Sequence, residues 1–243
     1  MRETVAFVYN VHKTIAKIMD TVHMKDRMTI RATSAPPARR STYRHGDLRR
    51  ALLKAGVELA RDGGPEAVVL REATRRAGVV PNAAYRHFEN RQALLEAVRA
   101  AALAAVARAM EAELATLRET HDQAAFARAS VRAVGIGYLR FAQTETGLFR
   151  TAFASQADVT AQPDQAKSGD SGLNPFQLLG AALDRLVEAG AMPASRRPGA
   201  EFLAWSAVHG LAMLVIDGPL RDLPRVQVDS LGQRLLDMVE KGL

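Results

Sequence analysis

The spacing of the apolar residues is the feature that most limits what this chain can fold into. Past residue 46, apolar side chains recur every three or four positions, which is the period of an α-helix, and no segment alternates as a β-strand does. Glycine and acidic residues interrupt the pattern, first at Asp62, Gly63 and Gly64. The sequence therefore predicts an all-α fold.

Eight helices are predicted from the uninterrupted stretches of this pattern. Their positions run over residues 48–59, 70–77, 81–88, 94–117, 126–141, 176–186, 202–216 and 228–238. Residues 155–174 have no such stripe and are rich in Gln, Asp, Ser, Gly and Pro. We expect a mobile loop there, which either gates a binding site or is simply disordered.

The positive charge of the chain is concentrated in one segment. Residues 25–99 contain 16 Lys/Arg and 8 Asp/Glu, whereas residues 100–243 contain 14 and 16, and the whole chain carries +7. A basic segment joined to a nearly neutral body is typical of a protein that binds a polyanion. The alternative is an arginine-rich surface that is only solvated.

Several classes of function are disfavoured by what the sequence lacks. It has no cysteine, which removes disulfides and thiolate metal sites and suits a reducing compartment. The six histidines show no metal-binding spacing, and neither a glycine-rich phosphate loop nor a hydrolase motif is present. No apolar run reaches the roughly 18 residues of a membrane span. The sequence predicts a cytoplasmic protein that is not an enzyme and has no cofactor or metal.

The stretch AGVVPNAAYRHFEN, residues 77–90, predicts a helix-turn-helix. Gly78 suits an abrupt helix end, and Pro81 suits the first turn of the next helix. Ala84 and Phe88 are four residues apart and are expected to face inward with Val79. The residues left facing outward are Asn82, Ala83, Tyr85, Arg86 and His87, which are suited to base edges and phosphates. The alternative is a helical hairpin with a polar outer face.

The segment after this motif supports the same interpretation. Asn90 is placed to cap the next helix, and Arg91 in its first turn can reach a phosphate. Residues 1–42 form a poorly defined extension and linker. They are either a DNA-binding arm or docking helix, or they precede the true start at Met24 or Met28.

Residues 43–98 resemble the DNA-binding domain of TetR-family transcriptional regulators. The resemblance is carried by Ala77-Gly78-Val79, by Tyr85-Arg86-His87-Phe88 and by Leu94. Residues 137–153 and 204–220 resemble the C-terminal domain of a TetR subgroup marked by a Trp and a His-Gly pair, here Trp205, His209 and Gly210. The resemblance implies a three-helix DNA-binding domain at 43–95 and a larger helical ligand-binding and dimerisation domain at 96–243.

The resemblance also implies roles for particular residues. Pro81, Asn82, Ala83 and Arg86 would face bases, and Tyr85 and His87 would lie against phosphates or base edges. Arg71 and Arg91 would touch the DNA backbone, while Arg44 and His45 would stand at the entrance to the first helix. Val69 and Val80 replace hydroxyl residues that usually cap the second and third helices, so we expect fewer phosphate contacts there.

In the family the last two helices form the dimer, here about 198–217 and 226–241. The candidate interface residues are Ala212, Ile216, Leu231, Leu235 and Met238; intramolecular core is the alternative. The resemblance also implies a pocket for an apolar ligand, with Tyr138, Phe141, Phe149, Phe153, Trp205, His209 and Met213 as candidate lining. For each of these residues core packing is the alternative.

The function implied is that of a sequence-specific DNA-binding regulator. Repression is the family's commoner mode, in which a homodimer on a palindromic operator is released by a small-molecule effector. Two alternatives remain open at this point. One is a helix-turn-helix protein controlled by a protein partner or by no ligand, and the other is a nonspecific architectural DNA binder.

Overall fold

The computed structural model describes residues 45–118, 120–154 and 164–242, except for the side chains of residues 45–47 and 81. The regular structure of these residues is entirely helical, as the sequence predicts. The helices are α1 (His45–Gly63), α2 (Leu70–Arg76), α3 (Pro81–Ala84), α4 (Arg91–Leu114), α5 (Gln123–Thr144), α6 (Thr146–Ala152), α7 (Pro175–Glu188), α8 (Ala200–Ile216) and α9 (Arg225–Gly242). Residues 1–42 and Arg44 lie outside the described residues.

Helices α1, α2 and α3 form the N-terminal unit. Leu52 and Leu59 of the predicted first stripe are buried, and so are Leu70 and Ala73 of the second. A short 3₁₀ turn, Pro65–Ala67, connects α1 to α2. The apolar period therefore places the inner face of each helix correctly.

Helix α4 runs without interruption from this unit into the body. Asn90 caps it as predicted, because its Oδ1 atom accepts the N–H of Ala93 at 2.9 Å. Leu94, Val98 and Val106 on its inner side are fully buried. The helix ends at Leu114, three residues before the end of the predicted stripe, and continues only as a turn.

Helix α6 is the element that the sequence did not predict separately. The helix is interrupted at Glu145, whose backbone angles of φ −124° and ψ 46° are not helical. The Thr146 hydroxyl then donates to the Ala142 carbonyl at 2.9 Å, which closes the corner between α5 and α6. This corner turns α6 against α1 and α4.

The C-terminal half of the predicted loop is ordered, which corrects the expectation for residues 164–174. The buried Glu111 carboxylate on α4 accepts the N–H groups of Asp170 at 2.9 Å and Ser171 at 3.0 Å. Asn174 and Gln177 then form a reciprocal cap at the start of α7. Residues 155–163, where the rest of the predicted loop falls, lie outside the described residues.

Helices α5, α7, α8 and α9 complete the body around one core that is continuous with the N-terminal unit. No helix in the described ranges has the length and apolar character needed to cross a bilayer.

Candidate functional site

The turn between α2 and α3 has the geometry of a tight helix-turn-helix corner. Gly78 has φ +68°, and a Cβ added there would meet no atom within 4 Å. Glycine is therefore favoured by the backbone conformation and not by lack of space. The N–H of Val79 donates to the Thr74 carbonyl at 3.0 Å, and Thr74 is itself buried. This hydrogen bond fixes the direction in which α3 leaves the turn.

Helix α3 is shorter than the predicted eight residues. Its regular part is Pro81–Ala84, and the N–H groups of His87 and Phe88 then both donate to the Ala84 carbonyl at 2.9 Å. Ala84 and Phe88 are buried, as predicted. Val80 caps the helix in an extended conformation without a side-chain hydrogen bond, which agrees with the expected loss of a hydroxyl cap.

The residues that the sequence predicts to contact DNA lie together on the outward side of α3 and on the turn that follows it. Asn82, Tyr85 and Arg86 are exposed, while Ala83 and His87 are half-buried. Tyr85 keeps 57% of its surface accessible, which is high for an aromatic side chain. The side chain of Pro81 lies outside the described part, and so does that of His45, which begins α1.

Some arginines around this corner form ion pairs with carboxylates, and others do not. Arg75 pairs with Glu72 at 2.6 Å, and Arg76 pairs with Asp62 at 3.0 Å. The hydrogen bond from Arg75 lowers the pKa of Glu72, so that this carboxylate stays ionised. Arg71 and Arg86 are exposed, and neither forms an ion pair with another described residue. Arg71 and Arg86 therefore carry positive charge that no described carboxylate neutralises.

Arg91 is engaged within the chain. Its guanidinium donates to the carbonyls of Val68 and Pro65, both at 2.9 Å, and lies 3.6 Å from the Glu66 carboxylate. It thus fastens the connection between α1 and α2 to the start of α4. Its contact with a phosphate stays a prediction.

Five of the seven candidate ligand residues meet in the body. We call Tyr138, Phe149, Phe153, Trp205 and His209 the aromatic cluster. The centroids of Phe149 and Phe153 are 4.9 Å apart, and the His209 ring lies 5.0 Å from Phe153. Trp205 lies 5.6 Å from His209. The cluster joins α5, α6 and α8, because each contributes at least one ring.

The cluster contains a chain of polar contacts. The Trp205 Nε1–H donates to the Tyr138 hydroxyl at 3.1 Å, and that hydroxyl lies 2.7 Å from His209 Nδ1. Burial raises the pKa of Tyr138 and lowers that of His209. Both burial effects favour the neutral forms of the two groups.

The remaining two candidates, Phe141 and Met213, have no ring contact with the cluster among the described residues. Phe141 is buried in the core and Met213 is half-buried. Phe176, whose ring lies 6.2 Å from Trp205, was not among the predicted pocket residues. Its position at the start of the predicted 176–186 stripe was the available signal.

The predicted dimer residues are divided between the core and the surface. Ala212 is buried within its own chain and lines a cavity of about 270 Å³ between α5, α8 and α9, which favours the alternative of intramolecular core for this residue. Ile216, Leu231 and Leu235 are half-buried, and Met238 is exposed. Further exposed apolar residues on these two helices are Phe202, Leu203, Leu214 and Val226.

Two family models match the chain. Residues 52–98 match the model described as bacterial regulatory proteins, tetR family, and residues 131–239 match the model described as tetracyclin repressor-like, C-terminal domain. No curated protein matches the chain in sequence.

Solved structures show the same fold. A protein with unknown function from Rhodococcus sp. RHA1 has 26% sequence identity and a TM-score of 0.59, with 83% of this chain and 98% of that chain covered. A TetR variant from Acinetobacter baumannii, in complex with minocycline, has 20% identity and a TM-score of 0.50, with 79% and 93% covered. PfmR, a TetR family transcriptional regulator from Thermus thermophilus, has 19% identity and a TM-score of 0.50, with 79% and 95% covered.

Proposed function

The chain belongs to the tetR family of bacterial regulatory proteins and is a DNA-binding transcriptional regulator, not an enzyme; we propose that it is a repressor released by an effector. In this proposal a homodimer in the cytoplasm binds a palindromic operator. An apolar small molecule then binds the body and lowers the affinity for DNA. Residues 43–95 would be the DNA-binding domain and residues 96–243 the ligand-binding and dimerisation domain.

The outward side of α3 is the observation that carries this proposal. Arg86 is exposed there without an ion pair among the described residues, whereas Arg75 and Arg76 are neutralised by acidic neighbours. An arginine or asparagine at such a position can bind base edges in the major groove, and an exposed tyrosine can bind a phosphate. Asn82 and Tyr85 supply those groups beside Arg86.

The dimer is supported by the exposed apolar side chains of α8 and α9. Leu203 and Val226 have 69% and 80% of their surface accessible, and Met238 has 60%. Apolar surface of this kind is a common feature of an interface with another chain. A two-fold dimer would present two copies of α3 at a fixed separation, which is what a palindromic site requires.

Release by an effector is supported by the position of α6 between the aromatic cluster and the DNA-binding unit. Phe149 of α6 belongs to the cluster, and Gly147, two residues earlier, lies directly against the last turn of α1. Arg61 of α1 is also paired with Glu145 at 2.7 Å. A ligand that moves Phe149 would therefore bias the position of α1, and such coupling is typically worth about 1–3 kcal/mol.

Fluorescence anisotropy with duplexes tiled across the gene's own upstream region would test the proposal. We expect one palindromic duplex to bind saturably, and binding to weaken steeply with salt. The Arg86→Ala variant should bind this duplex about 10- to 100-fold more weakly, because a good base contact is worth about 1–3 kcal/mol. The Arg196→Ala variant removes the same charge from an exposed turn of the body and should bind as the wild type does.

The alternatives give different results in the same assay. Equal and weak binding to every duplex, unchanged by Arg86→Ala, would indicate a nonspecific architectural protein. Specific binding that no small molecule weakens would favour control by a protein partner or no ligand. An effect of Arg196→Ala as large as that of Arg86→Ala would refute the assignment of α3 as the reading element.

A further inference from the structure

The donor and the acceptor of each hydrogen bond inside the aromatic cluster can be assigned. An indole N–H can only donate, so Trp205 Nε1 must donate to the Tyr138 hydroxyl oxygen. Tyr138 is buried, and its hydroxyl hydrogen needs an acceptor. The acceptor at 2.7 Å is Nδ1 of His209. With this arrangement the Trp205 N–H and the Tyr138 O–H each have an acceptor.

This assignment of donor and acceptor determines the tautomer of His209. An imidazole nitrogen that accepts a hydrogen bond carries no proton, so the proton of the neutral ring lies on Nε2. The reverse arrangement, with a proton on Nδ1, would leave the buried Tyr138 hydroxyl hydrogen without an acceptor. Burial lowers the pKa of His209, which keeps the ring in its neutral form near pH 7.

The Nε2–H group of His209 is unpaired and is not fully enclosed by the described residues. It has no hydrogen-bond partner among the described residues. Every fully buried polar side-chain atom in the described ranges does have a partner, so Nε2 is not fully enclosed. Phe149 and Phe153 lie 5.8 and 5.0 Å from the ring. The Nε2–H donor thus belongs to a ring that lies beside the rings of Phe149 and Phe153.

We propose that His209 Nε2–H is the recognition donor of the effector site, and that it selects a neutral ligand with an apolar or aromatic body and a carbonyl or ether oxygen. This assignment rests on the proposed control by an effector. A plain hydrocarbon would cover the donor without satisfying it. A cationic ligand would find a donor where it needs an acceptor, and no carboxylate of the described residues bonds to the Tyr138–His209 pair.

The tautomer can be measured without a ligand. Long-range ¹⁵N–¹H correlation spectra of the wild-type protein distinguish a protonated Nε2 from a protonated Nδ1, and the His209→Gln variant identifies the resonances. We expect the Nε2–H form alone in the wild type and a mixture of both tautomers in Tyr138→Phe, which keeps the ring and removes the hydroxyl. A predominant Nδ1–H form in the wild type would overturn the proposal.

The ligand class can be tested with a matched pair of probes. The probes 2-acetylnaphthalene and 2-isopropenylnaphthalene have the same shape, but only the first has an oxygen. Their binding is followed by quenching of Trp205, the single tryptophan of the chain. We expect the ketone to bind on the order of 10-fold more tightly, because the hydrocarbon leaves the donor unpaired.

Variants separate the donor from the shape of the site. His209→Phe should bind both probes equally, Tyr138→Phe should show a reduced preference, and His121→Phe, which changes an exposed histidine, should behave as the wild type. Equal binding of both probes to the wild type, or no quenching by either, would overturn the proposal. Ketone preference without release of the operator duplex would keep the donor assignment and refute the proposed repressor mechanism.

Discussion

Replacing Gly147 by alanine tests the contact between α6 and the DNA-binding unit. A Cβ at this position would collide with the carbonyl oxygens of Ala60 and Arg61 in the last turn of α1. These are backbone atoms, so the clash cannot be relieved by rotating a side chain. Either α6 moves away from α1, or the end of α1 is distorted.

Two opposing contributions determine how Gly147→Ala changes the free energy of unfolding. In an open helical position, glycine to alanine stabilises by about 0.5–1 kcal/mol. Overpacking a well-packed contact costs about 1–3 kcal/mol. We therefore expect Gly147→Ala to lower the free energy of unfolding. Gly180→Ala in α7 is the matched control, because its Cβ would come no closer than 3.6 Å to Arg197, and it should be stabilising.

Urea denaturation followed by circular dichroism measures both variants against the wild type. Opposite signs for the two substitutions are the expected result. Because α1 would be displaced, Gly147→Ala should also change the affinity for the operator duplex at temperatures where the variant is fully folded, whereas Gly180→Ala should not. If Gly147→Ala is as stable as Gly180→Ala, α6 does not rest tightly on α1.

Three further changes test other parts of the structure. Val80→Thr should raise the free energy of unfolding by about 0.5–2 kcal/mol, because a hydroxyl would cap α3 where the exposed valine does not. Val80→Ala, which adds no hydroxyl, should change it by less than about 0.5 kcal/mol. Glu111→Gln should speed amide hydrogen exchange at Asp170 and Ser171 by about 10-fold, since the amide has one acceptor oxygen where the carboxylate has two; Glu113→Gln should leave it unchanged. Burial lowers the pKa of His209 below its ordinary 6.5, so its contribution to stability is complete above pH 6.5 and is lost as the pH falls from there towards the lowered value; His209→Gln should remove this part of the pH dependence, and identical curves would contradict it.

Most of the helices could be predicted because their signal repeats. An apolar side chain every three or four residues marks the inner face of α1, α4 and α7 independently of any long-range contact. The corner at Gly78 and Pro81 was also visible, because glycine tolerates the positive φ of an abrupt helix end and proline suits the first turn of a helix. The separation of α5 from α6 was not visible, since a non-helical Glu145 and a hydroxyl-to-carbonyl bond from Thr146 mark it without glycine or proline.

The candidate sites show the same limit. The five residues of the aromatic cluster were predicted because residues 137–153 and 204–220 resemble the C-terminal domain of a TetR subgroup, which implies a ligand pocket there. The engagement of Arg91 could not be predicted, because the carbonyls of Pro65 and Val68 face it only after the 65–67 turn has formed. Ala212 was assigned to the dimer interface because the resemblance places the dimer on the last two helices, and the helical period alone does not say which apolar side of α8 faces α5.

The anchors of α6 determine how a change in the aromatic cluster can reach the DNA-binding unit. The helix has seven residues and is held by its neighbours at three places. Gly147 rests on α1, Arg150 bonds to Asp217 at the end of α8, and Arg99 of α4 donates to the Ala152 carbonyl at 3.1 Å.

A helix of two turns with anchors at both ends moves as one body, since bending it would break hydrogen bonds that it cannot replace. In the proposed mechanism, displacement of Phe149 by a ligand would therefore be shared between α1, α4 and α8. Helix α1 belongs to the DNA-binding unit, α4 joins that unit to the body, and α8 belongs to the proposed dimer interface. Ligand, DNA and the second copy of the chain would thus act on the same short helix, and each would change the affinity for the others by the same factor that it experiences from them.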